Sequence, residues 1–182
     1  MIVAKDNEWV LYTPPKTGST SLHRALVQEP ICASSVLGQH SAVTIHGAVA
    51  FATTRHPVTR ALSLWKHLVY QYRNGNKLFG FEEEPSFNEY TSYLLSNKYD
   101  NFFGWNVSRW LVNVKVDYFL KLECFHIDLS KFFHISNMEV YNDIGFITCD
   151  DISDKSLEII REWGREDLEL CGYEFDDYKD NM

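Results

Sequence analysis

The chain has 182 residues, 45% of them hydrophobic and 23% charged, which suits one globular domain spanning 1–182. Its net charge of −8 argues against a general nucleic-acid binder, because such proteins need a basic face to neutralise phosphates. No apolar run approaches the roughly 18 residues of a membrane span and the start, "MIVAKDNEW", does not resemble a signal peptide, so we expect a cytoplasmic protein without membrane contact.

Apolar runs and helical patterns alternate along the chain. Short runs rich in β-branched and aromatic residues predict strands, and apolar residues spaced three or four apart predict helices. In chain order we predict a strand at 9–13, a helix at 19–28, a strand at 47–55, helices at 57–73 and 86–97, a strand at 116–123, a helix at 128–135 and a final helix from 153 to Gly172. This alternation predicts an α/β domain with a central, mostly parallel sheet flanked by helices.

Three of the helices begin with a recognisable cap. Ser86, followed by Glu89 three residues later, predicts a capping box. Asp128 is the predicted cap of the helix at 128–135, and either Ser153 or Asp154 caps the final helix.

The cysteines give no sign of a metal site. They stand at 32, 124, 149 and 171, with no C-x-x-C pair and no histidine at zinc-finger spacing. We therefore expect reduced thiols and no bound metal.

The stretch "TPPKTGSTSL", 13–22, lies between a predicted strand and a predicted helix. Ligands of open α/β sheets gather beyond the carboxyl ends of the strands, and the N-terminus of a helix attracts anions. Gly18 lets the backbone approach a ligand closely, Ser19, Thr20 and Ser21 add donors, and Lys16 adds a positive charge. The alternative is a capped helix start with a solvated lysine. The stretch is not the usual nucleotide loop, G-x-x-x-x-G-K-[ST], because the lysine precedes the glycine.

A second stretch, "TRHPVTRALS" at 54–63, also follows a predicted strand and opens a helix. Arg55 at the strand end and Ser63 on the helix together suit a phosphate, since a guanidinium presents a fork of donors. Arg60 and Ser63, three apart, share one helix face. An ordinary helix with a surface arginine and serine is the alternative. Two such stretches in one sheet fit a ligand with two separate anionic groups.

Together the two stretches resemble the sulfotransferases that use 3′-phosphoadenosine 5′-phosphosulfate (PAPS), in particular the small carbohydrate-type branch. "PKTGSTSL", 15–22, is similar to that family's loop for the 5′-phosphosulfate, and "TTRHPVTRALSLW", 53–65, to its 3′-phosphate motif. The resemblance is tight in the first 65 residues and extends more weakly over most of the chain. It implies a P-loop-like, three-layer fold and a metal-independent transfer of a sulfuryl group to a hydroxyl or amine, with 3′-phosphoadenosine 5′-phosphate (PAP) as the product. The branch resembled favours the hydroxyl of a saccharide as the acceptor.

The resemblance also implies roles for individual residues. Lys16 would stabilise the bridging oxygen that gains charge. The residues expected to bind the cofactor are Lys16, Thr17, Gly18, Ser19, Thr20, Ser21, Arg55 and Ser63. His40 is the first candidate for the base that takes the acceptor proton, because a histidine titrates near neutral pH without tuning; His46 and Glu29 are the alternatives.

Two other functions stay open. One is an inactive relative that keeps a pocket for PAP or PAPS, although the intact Lys16, Arg55 and Ser63 argue against decay. The other is a P-loop-type nucleotide kinase, which the position of the lysine disfavours. The expected partners are PAPS and a small-molecule or saccharide acceptor.

Overall fold

The computed structural model of the protein describes residues 1–27, 32–33, 42–76, 81–96, 104–133 and 152–181. In chain order the elements are β1 (Ile2–Ala4), β2 (Trp9–Tyr12), α1 (Ser19–Val27), β3 (Cys32–Ala33), β4 (Val49–Thr54), α2 (Pro57–Arg73), α3 (Phe87–Leu94), α4 (Val107–Trp110), β5 (Tyr118–Lys121), a 3-10 turn (Leu122–Cys124), α5 (Phe125–Phe133), α6 (Asp154–Trp163), α7 (Arg165–Cys171) and a 3-10 helix (Phe175–Asn181). None of the helices in these ranges is long and apolar enough to cross a bilayer.

The chain forms two compact units. The sheet unit consists of the described residues within 1–55 and 107–133, and the helical unit of those within 56–106 and 152–181. The chain passes from the first to the second directly after Arg55, where the strand β4 has ended.

The sheet unit contains an open five-stranded sheet with the order β3-β1-β2-β4-β5. Strand β2 pairs in parallel with β4, and β4 pairs in parallel with β5. Strand β1 is antiparallel to both of its neighbours, β2 and β3. Four of these five strands therefore point in one direction, which confirms the predicted α/β class with a mostly parallel sheet.

One face of this sheet carries the core of the sheet unit. Side chains alternate between the two faces of a strand, so Ile2, Leu11, Phe51 and Leu120 point to the same side. They meet the apolar stripes of α1 and α5, formed by Leu22, Leu26, Phe125, Leu129 and Phe133. This packing fixes where α1 begins relative to the ends of β2 and β4.

The helical unit is built from α2, α3, α6, α7 and the last 3-10 helix. Its core joins apolar residues of these helices, among them Val58, Leu68, Tyr90, Ile160 and Trp163. The capping box at the start of α3 and the cap of α6 by Ser153 are confirmed. Helix α2 begins at Pro57, as predicted, and the Nδ1 atom of His56 accepts a hydrogen bond from the Val58 N–H (3.2 Å).

Two predicted helices differ from the structure. The helix predicted at 128–135 begins at Phe125, and Asp128 lies inside it, where a carboxylate oxygen accepts from the Lys121 N–H (3.3 Å). The predicted final helix is interrupted at Gly164, where a Cβ would lie 2.5 Å from Cβ of Pro57. Close packing against the first turn of α2 therefore requires a glycine at this position.

Candidate functional site

The loop at 13–18 and the residues after β4 lie at the same edge of the sheet. Tyr12, the last residue of β2, is paired with Ala52 of the parallel strand β4. The carboxyl ends of neighbouring parallel strands meet at one edge, where ligands of α/β proteins bind. We define the basic corner as the loop 13–18, the first turn of α1, and Thr53–Arg55 at and directly after the end of β4.

Two buried threonines hold the basic corner together. The hydroxyl of Thr17 donates to the Pro14 carbonyl oxygen (2.7 Å) and lies 2.5 Å from the hydroxyl of Thr53. Since a hydroxyl has one proton to donate, Thr53 donates to Thr17. Both side chains are fully buried, so this pair ties the loop to the end of β4.

The backbone of Thr17 is also engaged within the loop. Its N–H donates to the Pro14 carbonyl oxygen (3.4 Å). If Thr17 bound the cofactor through this N–H, that contact would have to replace the hydrogen bond to Pro14. The clearest part that Thr17 plays in the structure is to hold the loop.

Replacing Thr17 by valine should lower the free energy of unfolding by about 1–2 kcal/mol, because buried polar groups lose a partner. The Thr53 hydroxyl would keep only its longer contact with the Tyr12 carbonyl oxygen (3.5 Å). Urea unfolding measures the loss. The matched control is Thr44→Val, which removes an exposed hydrogen bond to the Asn113 carbonyl oxygen (3.3 Å) and should change stability by less than about 0.5 kcal/mol. Equal effects of both variants would mean that the buried pair does not hold the loop.

Gly18 is required by the fold of the loop. Its φ of +85° lies in the region that glycine adopts most easily. A Cβ at this position would lie 2.7 Å from both Leu122 Cδ1 and Phe125 Cε2. The sequence predicts a glycine that faces a ligand, whereas the structure places its Cα against the 3-10 turn and α5. Its carbonyl oxygen accepts the first hydrogen bond of α1, from the Leu22 N–H (3.1 Å).

Lys16 and Arg55 bring two positive charges to the basic corner. Burial lowers the pKa of the Lys16 ammonium, and the positive charge of nearby Arg55 lowers it further. Among the residues that the structure describes, no acidic side chain makes an ion pair with Lys16. Two like charges held close together repel each other, and a bound anion would relieve that repulsion.

The first turn of α1 adds hydrogen-bond donors to the same place. Ser19, Thr20 and Ser21 occupy it, and it contains no acidic residue. The first N–H groups of a helix have no partner within the helix, and its dipole is positive at this end. Ser19 and Ser21 are buried and Thr20 is half-buried. The arrangement is suited to holding an anion next to Lys16.

The basic corner as defined above does not include the remaining predicted site residues. Ser63 is on α2 in the helical unit, where 7% of its surface is exposed. His40 and Glu29 are outside the described residues. His46, the other candidate base, is exposed in the turn before β4.

Sequence reasoning overlooked Thr53. This residue precedes Arg55 by two positions, and the sequence alone assigns it no role. Its importance depends on the register that sets the end of β4 beside the loop after β2. The doubled threonine before the arginine, "TTR", is the only signal in the sequence, and it does not identify the partner.

No protein-family model, curated protein or solved structure matches this chain. Within the described ranges, no group of three or more histidine, cysteine, aspartate and glutamate side chains is arranged to hold a metal ion. The function must therefore be inferred from the basic corner and from the two sequence motifs.

Proposed function

We propose that the protein is a sulfotransferase that moves a sulfuryl group from PAPS to the hydroxyl of an acceptor, which we infer to be a saccharide. The observation that carries the proposal is the basic corner. Lys16 and Arg55 are close enough for one charge to lower the pKa of the other, and they stand beside the N-terminus of α1. Through the motif resemblance, the order of lysine before glycine and the R-x-P-x-x-R-x-x-S pattern that begins at Arg55 favour a phosphosulfate over a triphosphate.

In the proposed reaction, the acceptor oxygen forms a bond to sulfur while the bond from sulfur to the bridging oxygen breaks. Such transfers depend on stabilising charge more than on covalent help from the protein. Lys16 would donate to the bridging oxygen as its negative charge grows. The first-turn N–H groups of α1, with the hydroxyls of Ser19, Thr20 and Ser21, would hold the 5′-phosphosulfate.

The other roles rest on the motif resemblance. Arg55 and Ser63 would bind the 3′-phosphate, which distinguishes PAPS from common nucleotides. His40 would take the proton from the acceptor, with His46 and Glu29 as alternatives. We also propose that the α/β fold has the P-loop-like, three-layer arrangement of this family.

Calorimetry on the full chain with PAP, ADP and ATP, each with and without magnesium, tests the proposal. We expect PAP to bind at least about tenfold more tightly than ADP, because a 3′-phosphate adds charge-assisted hydrogen bonds, and we expect no dependence on magnesium. A preference for ATP in the presence of magnesium would identify a nucleotide kinase instead. Tight binding of PAP without transfer from PAPS to a broad panel of acceptors would identify an inactive relative.

A further inference from the structure

Arg60 is a fully buried arginine in the first half of α2. Its Nη2 atom donates to the Trp105 carbonyl oxygen (2.9 Å), and its guanidinium carbon lies 5.3 Å from the centre of the Trp163 ring. A buried guanidinium with a planar fork of donors accepts few orientations. These contacts therefore constrain how α2 is rotated about its own axis.

The partners of Arg60 are themselves held in place. The Trp163 indole N–H donates to the Gly104 carbonyl oxygen (2.9 Å), and the Asn106 side-chain amide donates to the Trp163 carbonyl oxygen (3.1 Å). Gly164 follows directly and packs closely against Pro57, the first residue of α2. Hydrogen bonds thus join residues 104–106 to the end of α6, and both of these segments contact the first half of α2.

Arg60 lies near an opposite charge inside the helical unit. Burial lowers its pKa, and the negative charge of the fully buried Asp167 acts in the opposite direction. Tyr90 is also close, and burial raises the pKa of its phenol, so that it stays neutral. Opposite charges that are buried near each other are a weak source of stability, since well-packed apolar residues often serve as well. The better-attested effect of such buried charges is to favour one arrangement of the surrounding side chains over the others.

We propose that Arg60 is a positioning residue for recognition of the 3′-phosphate, acting through Ser63. Ser63 lies three residues after Arg60 and therefore on the same side of α2. The contacts of Arg60 restrain the position of the first two turns of α2. Ser63 lies at the end of this segment, so its hydroxyl depends on the same contacts. The inference rests on the proposed function, because the 3′-phosphate is the group that Ser63 would bind.

The test compares the affinity for PAP with the affinity for adenosine 5′-monophosphate, which lacks the 3′-phosphate. In Arg60→Lys and Arg60→Met we expect the ratio of the two affinities to fall by about tenfold, as for the loss of one charge-assisted hydrogen bond. The affinity for the monophosphate should stay within about twofold, because the groups that bind the 5′ end are unchanged. If the substitution only lowered the stability of the protein, the affinities for PAP and for the monophosphate would fall together and their ratio would not change. The matched control is Arg73→Met, which removes an exposed guanidinium from the last turn of the same helix and should leave the ratio unchanged.

A double-variant cycle decides whether Arg60 acts through Ser63. Ser63→Ala should itself lower the ratio, and adding Arg60→Lys should then lower it little further. An unchanged ratio in Arg60→Lys, or additive effects in the double variant, would overturn the inference. If Arg60→Met fails to fold, Arg60→Lys and Asp167→Asn supply the same measurement. A wild-type protein that binds both nucleotides equally would instead overturn the proposed function, so the two failures are distinguishable.

Discussion

Replacing Lys16 by alanine should reduce turnover at least tenfold, and by about 10²–10³-fold if it removes a donor that acts in the transition state. The reason is that no described acidic side chain pairs with this ammonium, so its charge is available to the bridging oxygen of the donor. The fold should survive the change. Lysine and alanine both have a Cβ, so each meets a similar cost at the φ of +66° that this position adopts. Single-turnover transfer from PAPS, measured beside thermal unfolding, checks both statements.

Two further variants separate charge from conformation at this position. Lys16→Gly removes the charge and also the cost of the positive φ, so it should be at least as stable as Lys16→Ala and equally slow. Lys5→Ala removes an exposed lysine in the turn after β1 and should leave turnover unchanged. Wild-type turnover in Lys16→Ala would remove Lys16 from the mechanism, whatever the stability of the variant.

The parts of the fold that the sequence predicts are those with a long local signal. The 17-residue helix α2 has its apolar residues at helical spacing, and Ser86 and Glu89 form the capping box expected of them. Strands β1 and β3, with three and two residues, carry too little pattern to be recognised. The backbone groups of β3 pair with those of β1, which is distant in the sequence, and local patterns do not record such a pairing.

Both errors in helix bounds concern residues whose contacts in the structure are not visible in the local sequence pattern. Asp128 has the chemistry of a cap, but its carboxylate accepts from the Lys121 N–H and the helix starts three residues earlier. In the sequence, nothing distinguishes Gly164 from other glycines inside helices, because its neighbour in space, Pro57, is far from it along the chain. The approach of Pro57 shows why a residue without a side chain is needed there.

The sequence identifies the charged residues of the candidate site, but it does not show the hydrogen bonds that hold the site together. The motifs identify Lys16 and Arg55, which the parallel pairing of β2 and β4 brings to one edge of the sheet. The hydrogen bond between Thr17 and Thr53 depends on that pairing and could not be read from spacing. The sequence predicts that Gly18 lets the backbone approach a ligand, whereas the contacts of Gly18 in the structure are with the side chains of Leu122 and Phe125.

Replacing Gly18 by alanine should lower the free energy of unfolding by about 2–5 kcal/mol. About 1–2 kcal/mol comes from placing a residue with a Cβ at positive φ, and about 1–3 kcal/mol from inserting a methyl group into a packed region. The methyl group would meet Leu122 and Phe125 at 2.7 Å, well inside ordinary contact. Equilibrium unfolding in urea, with an unchanged slope, measures the sum.

Gly47→Ala separates the two contributions to this cost. Gly47 has nearly the same φ, +86°, and nothing lies within 4 Å of its added Cβ, so only about 1–2 kcal/mol should be lost. The remaining difference is the steric contribution, and trimming Leu122 to alanine should recover part of it in a double variant. Such coupling would establish that the glycine is needed for contact with the 3-10 turn. A Gly18→Ala protein that is as stable as wild type but no longer binds PAP would instead return the glycine to the ligand-facing role that the sequence suggests.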